Sequence, residues 1–175
     1  LAKGNAKRQA LIMSQKNLLA LFGNEIQKNR IDLNEDCTSI IIPDGEIAKS
    51  LDEFSKIINQ MIHHECDRKT YIIALGGGVV GDVAGFVSSV YMRGINYVQI
   101  PTTLLSMVDS SIGGKTGINV ESGKNMIGSI NQPKAVYIDP NILKTLPKRE
   151  ITSGFGEIIK YGLIDTGGRL QAESP

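Results

Sequence analysis

The chain has 175 residues, 41% of them hydrophobic and 21% charged, the make-up of an ordinary globular protein with room for one cored domain and a little more. A net charge of +1 gives no global attraction to nucleic acid or to an anionic membrane, so any affinity for phosphate has to be local. Apolar runs stay short of the roughly 18–20 residues of a membrane span, no signal peptide is recognisable, and Cys37 and Cys66 lack a C-x-x-C partner, as expected of free thiols in a reducing cytoplasm.

In chain order, residues 9–13 read as a first strand. Leu18, Phe22 and Ile26 recur every four residues and predict an amphipathic helix over residues 17–28. Residues 38–42 are β-branched almost throughout, a buried strand ended by Pro43, and Asp44-Gly45-Glu46 follows as a turn carrying two carboxylates. Ser50 with Glu53 forms a capping box for a helix whose predicted buried face is Leu51, Phe54, Ile57, Ile58, Met61 and Ile62. A third strand over 71–75 runs into Gly76, Gly77 and Gly78, and a helical pattern covers 79–92. A fourth strand covers 97–100, with Pro101, Thr102 and Thr103 opening a further helix. Residues 110–128 hold five glycines and few core residues, which predicts a long ordered loop wrapped around a ligand. A fifth strand over 135–138, a helical turn after Asp139-Pro140, a boundary at Leu146-Pro147 and a helix over 150–163 complete the reading. Alternating strands and helices predict a parallel sheet with right-handed crossovers: a Rossmann-like α/β domain over 1–146, then the first helix of a truncated helical domain over 147–175.

Gly76, Gly78 and Gly81 satisfy G-x-G-x-x-G between a strand and a helix, where uncovered amides and the helix dipole favour a phosphate group. The acid that would hold a ribose about 20 residues on is missing, since Ile100-Pro101-Thr102 stands there, and by itself the turn could equally be an ordinary βα connection. Arg93, Asp109, Lys115 and Lys124 come from separate glycine-flanked segments, a sign of backbone brought close to a polar ligand. Lys115 lies in Gly113-Gly-Lys-Thr-Gly, but a P-loop needs glycine where this chain has Asp109. His63 and His64 are helix neighbours pointing about 100° apart and read as a solvated helix end rather than a metal site. Glu157 and Lys160 share a face of the last helix, either as a surface ion pair or as functional groups, with Gly154, Gly156 and Gly162 around them.

Assembled in this order, the segments resemble the 3-dehydroquinate synthases, sugar-phosphate cyclases of the shikimate pathway. The resemblance runs from Gln9 to Ile164 and is most specific over 76–82, 101–119, 123–128, 144–147 and 157–164. It implies a Rossmann-like NAD domain followed by a helical domain that carries much of the metal and substrate site. The implied reaction turns 3-deoxy-arabino-heptulosonate 7-phosphate into 3-dehydroquinate and phosphate, with NAD oxidising a hydroxyl and later returning the hydride. A divalent metal, zinc or cobalt, a homodimer of the full-length enzyme and a cytoplasmic location come with it, and nucleic acid and membrane are not among the partners.

Carried over onto this chain, Asp44, Glu46 and Lys49 resemble the segment that holds the adenosine ribose, which would explain the acid missing after the glycine turn. Gly77, Gly78, Val79, Val80, Gly81 and Asp82 resemble the pyrophosphate loop. Thr102, Thr103, Lys115, Lys124, Asn125, Ile142, Leu143, Lys144 and Thr145 match further NAD-contacting positions. Arg93, Asp109, Lys115, Asn125 and Lys160 match catalytic positions that hold the substrate's phosphate, hydroxyls and carboxylate, and Glu157 matches the one metal ligand supplied from this half.

Three departures stand out. Ser14-Gln15-Lys16-Asn17 stands where the family commonly has Thr-Asp-x-Asn, and Gly156 replaces an alanine. The resemblance stops after Ile164, where residues 166–175 read as a linker and the family's two zinc histidines do not follow. With Leu1 rather than Met at its start, the chain is expected to be a fragment, inactive by itself. Alternatives are another sugar-phosphate cyclase or metal-dependent polyol dehydrogenase of the same fold, or a nucleotide-binding domain without activity.

Overall fold

The computed structural model describes residues 8–164; the expected linker over 166–175 lies outside them. Strands β1 (Gln9–Gln15), β2 (Asp36–Ile42), β3 (Tyr71–Gly76) and β4 (Asn96–Pro101) form a parallel sheet in the order β2-β1-β3-β4. The chain steps from β1 outward to β2, then returns across β1 to β3. The carboxyl ends of β1 and β3 therefore flank a topological switch point, where open α/β sheets bind their ligands.

Alternation along β1 explains the layers. Leu11 and Met13 point to one face, with Ile40, Ile42, Ile72, Ala74 and Tyr97, and are covered by helices α2 (Leu51–His63) and α3 (Gly78–Val90). Ala10 and Ile12 point to the other, with Tyr71, Ile73 and Leu75, beneath helix α1 of residues 16–32. The first face is sealed; on the second, α1 covers the central strands while Val98 and Ile100 of β4 stay partly buried and Ile41 of β2 is exposed.

Several expectations need correction. Helix α1 contains a wide π-type turn, Leu19–Gly23, so Leu19 rather than Leu18 packs on the sheet beside Phe22 and Ile26. In α2 the Ser50 hydroxyl accepts the Glu53 N–H at 3.2 Å as anticipated, but Leu51 and Ile62 are exposed and Phe54, Ile57, Ile58 and Met61 carry the contact. Helix α3 ends at Val90; Met92 and Arg93 then take left-handed backbone with φ of 48° and 71°.

The largest difference is over 110–128, read as a loop. It is mostly an antiparallel hairpin of β5 (Lys115–Val120) and β6 (Gly123–Ile130), laid along α3. The expected strand over 135–138 reduces to one parallel bridge, Val136 to Gln99. Backbone bonds from the Lys134 N–H to the Tyr97 carbonyl, the Gln99 N–H to the Ala135 carbonyl and the Tyr137 N–H to the Gln99 carbonyl still lay this segment along β4, and Tyr137 and Ile138 are exposed. A 3-10 turn, Pro140–Thr145, leads to helix α4 (Lys148–Ile164), which packs on the π-type turn Ser106–Ser110. The Cβ of an alanine at Gly154 would lie 2.5 Å from Leu104 Cγ, so that glycine is needed for the close crossing; at Gly156 nothing lies within 4 Å. Among the described residues no helix is long and apolar enough to cross a membrane.

Candidate functional site

The residues singled out from the sequence collect, with few exceptions, along the carboxyl edge of the sheet and on the hairpin beside it. The edge begins with the turn after β2. Gly45, at φ 74°, lets the chain reverse, and the 3-10 turn Glu46–Lys49 places an exposed Glu46 and a buried Lys49 three residues apart. Asp44 is exposed beside them.

The glycine turn after β3 follows. Gly77 is the N-cap of α3 and provides no side-chain cap, so the first amides of a 13-residue helix keep their positive ends unmatched. A Cβ at Gly77 would lie 3.1 Å from Thr103 Cγ2, and one at Gly78 3.0 Å from Ser110 Oγ, a buried hydroxyl with no hydrogen-bond partner among the described residues. Val80 is buried against Gly76, so its side chain is withdrawn from any ligand, and the Gly81 N–H donates to the Gly77 carbonyl at 3.1 Å. After β4, the Thr102 N–H donates to the Gly76 carbonyl at 3.0 Å, while the Thr103 hydroxyl and Ser106 Oγ bond at 2.8 Å. These two bonds fix the third turn of the edge beside the glycines.

Asp82, one turn into α3, meets Lys49 Nζ at 2.6 Å, and the same ammonium donates to Asn125 Oδ1 on β6. Burial pushes the Asp82 carboxyl above its ordinary range, and Lys49 pulls it partly back. Asp82, Asn125 and Lys115 line one groove of about 510 Å³ with Thr116, Met126 and Ser129. Arg93, Lys115 and Lys124 have no ion-pair partner among the described residues. Ile142 lines a second, more apolar cavity of about 470 Å³ with Phe22, Leu75, Ile100 and Tyr137, next to the glycine turn; the rest of its turn (Leu143, Lys144, Thr145) is tied back by the Thr145 hydroxyl to the Ile142 carbonyl at 2.9 Å.

A third group forms where α4 crosses the Ser106–Ser110 turn. Tyr161 Oη donates to Asp109 Oδ1 at 2.6 Å, and Lys160 pairs with Glu157, which holds the ammonium pKa above its ordinary value. Glu157 Oε2 is buried, and among the described residues the Lys160 ammonium is the partner that holds it. No group of three or more His, Cys, Asp or Glu that could hold a metal exists among the described residues, so Glu157 fits as one donor of an incomplete set. His63 and His64 lie at the far end of α2, their rings 6.0 Å apart.

Arg93 is the exception among the site residues. It follows α3 at the amino-terminal edge of the sheet, opposite the glycine turn, and does not line the groove that holds Lys115 and Asn125. Asn119, Ser110 and Tyr161 were not singled out. Asn119 Nδ2 donates to Glu46 Oε2 at 2.8 Å, and only a correct hairpin register would have brought the two together.

The family profile described as 3-dehydroquinate synthase N-terminal matches residues 39–153. A curated 3-dehydroquinate synthase of Prochlorococcus marinus is 51% identical over 158 residues, which is 90% of this chain and 44% of that protein. The chain thus spans less than half the length of the curated relatives it matches. Among solved structures, 2-deoxy-scyllo-inosose synthase complexed with carbaglucose-6-phosphate, NAD+ and Co2+ superposes with TM-score 0.82 at 29% identity, over 88% of this chain and 42% of that one. The 2-epi-5-epi-valiolone synthase of Streptomyces hygroscopicus, with NAD+ and Zn2+ bound, gives 0.80 at 31%, over 90% and 44%.

Proposed function

This chain belongs to the 3-dehydroquinate synthase family, and on that premise we propose that it is the dinucleotide-holding part of an NAD- and metal-dependent cyclase. The longer enzyme converts 3-deoxy-arabino-heptulosonate 7-phosphate to 3-dehydroquinate and phosphate. The observation that carries the reading is the uncapped amino terminus of α3 at the switch point, with a carboxylate turn on one side and a cation-bearing hairpin on the other.

Each part of the edge has a task in this reading. The amides of Gly78, Val79 and Val80 face the pyrophosphate, where orphan N–H groups and the helix dipole act together; the Gly81 N–H already donates to the Gly77 carbonyl. Glu46 and Asp44 accept ribose hydroxyls, and Lys49 keeps the turn in place through Asp82. The apolar cavity at Ile142 takes a planar base, with Thr102 and Thr103 closing the path between base and groove. When bound, NAD supplies a hydride acceptor and a divalent metal a Lewis acid at the hydroxyl being oxidised. Lys115 and Asn125 hold the substrate's phosphate and hydroxyls from the hairpin, and Lys124 serves the cofactor. Asp109 and Lys160 orient the other end of the substrate, and Glu157 serves as one metal ligand.

Catalytic zinc normally takes three protein ligands, so this chain binds NAD but does not turn over unaided. Product analysis tests the assignment: the longer enzyme should release phosphate with no net NADH. Net NADH from a polyol would assign it instead to the dehydrogenases. Phosphate release by the 175-residue chain above a metal-free control would overturn the incompleteness of its metal site.

A further inference from the structure

The turn after β2 and the tip of the hairpin close a ring of polar contacts in which each side chain holds the next. Asn119 donates its Nδ2–H to Glu46 Oε2 and accepts the Asn125 N–H on its Oδ1, both at 2.8 Å. Asn125 Oδ1 accepts from Lys49 Nζ, and Lys49 sits on the same 3-10 turn as Glu46. Asn119 and Asn125 are the uncharged links, and Asn119 is the one that ties the hairpin to Glu46. One side chain gives a donor to a carboxylate and an acceptor to a backbone amide, which an Asn can do and an Asp or Ala cannot.

Both residues that Asn119 touches need holding. Glu46 is exposed, with three free side-chain torsions, and a carboxylate that must meet a diol loses affinity to rotamer entropy unless it is already oriented. Asn119 engages Oε2 and leaves Oε1 for a ligand. Asn125 has a left-handed backbone, φ 55°, a conformation that a non-glycine residue keeps where its surroundings fix it. Its amide goes to Asn119 and its side chain to Lys49.

We propose that Asn119 is a positioning residue that couples the two: it orients Glu46 for a ribose diol and sets Asn125 for the substrate. Cofactor affinity and hairpin order then rise and fall together. The coupling rests on the reading of Glu46 as a ribose acceptor.

The test uses the 175-residue chain, NAD as the probe, and the Asn125 amide as reporter. Asn119→Ala should raise exchange of that amide roughly 2- to 10-fold and weaken NAD by a similar factor, as loss of a net hydrogen bond predicts. Asn119→Asp keeps the acceptor, so it should leave the amide protected while still weakening NAD; it also serves if the alanine variant does not fold. Glu46→Gln should weaken NAD in the parent chain but add little in the Asn119→Ala background. A merely structural Asn119 would leave the cost of Glu46→Gln undiminished, and that result, or unchanged Asn125 exchange in Asn119→Ala, overturns the proposal. If Glu46→Gln leaves NAD binding unaltered in the parent chain, the ribose assignment fails and the coupling with it. Asn125 exchange still separates that failure from a failure of the clamp.

Discussion

Replacing Lys49 by Met keeps the length of the stem and deletes the ammonium that three parts of the site share. Lys49 is 4% exposed, and the Asp82 side chain left behind is 24% exposed. Removing one partner of a buried ion pair costs about 3–5 kcal/mol because the other charge stays desolvated. The partial exposure of Asp82 puts the loss at the lower end, about 3 kcal/mol, which for a chain of this size is about 6–12 °C in melting temperature. Dependence on pH gives a second reading of the same variant. Burial already raises the Asp82 carboxyl above its ordinary value of 3.8, and Lys49 works against that rise. A carboxyl whose folded pKa is raised adds stability below its unfolded pKa and loses it as pH climbs through the folded value. Without Lys49 the folded value moves higher, so the deficit of Lys49→Met should be largest near neutral pH and shrink as the pH falls toward the carboxylate range. Urea unfolding at several pH values measures it, and adding Asp82→Asn should recover most of the loss. A deficit below about 1 kcal/mol, unchanged with pH, would instead place the pair among exposed ion pairs.

Gly85→Ala puts a Cβ 2.3 Å from Thr116 Cγ2 and should cost about 1–3 kcal/mol by pushing the hairpin off α3. Thr116→Ser in the same chain removes that methyl, keeps the hydroxyl that bonds the Ser129 carbonyl, and should restore the melting temperature. Lys115→Ala in the longer enzyme should weaken substrate roughly 10- to 100-fold, the worth of a charge-assisted bond to phosphate, with little change in melting temperature. A large drop in melting temperature with affinity preserved would make Lys115 structural instead. Burial pushes the Cys66 thiol to about 11 from its ordinary 9.0, so stability should fall as the pH rises between those values, the unfolded thiolate being the one favoured. Iodoacetamide should accordingly modify half-buried Cys37 before Cys66; equal native and unfolded labelling of Cys66 would contradict its burial.

The sheet and its turns were legible because their signals are local. β-Branched runs bounded by Asp-Gly or Gly-Gly-Gly mark strand and turn together, and residues 38–42 and 71–75 show both. The hairpin reads as a loop in the sequence because its glycines mean something else. A Cβ at Gly128 would lie 2.1 Å from the Thr116 carbonyl oxygen, and one at Gly117 2.8 Å from that of Ile127. These glycines let two strands close tightly beside α3; they do not mark flexible chain. β6 is exposed along most of its length, so the apolar alternation that reveals a strand is absent from it. Asn119 stayed hidden for the same reason, since its partner Glu46 lies 73 positions away in sequence. Arg93 shows the converse limit: glycine beside a charge does not place that charge at the same edge of the sheet.

If the amides opening α3 receive the pyrophosphate of NAD, an amide-resolved NMR titration of the 175-residue chain with NAD will register it at those amides. Saturable shifts should be largest at Gly78, Val79 and Val80, extend to Glu46 and Ile142, and spare His63 and His64 at the far end of α2. Shifts that never saturate, or that gather away from the amino terminus of α3, would contradict the account.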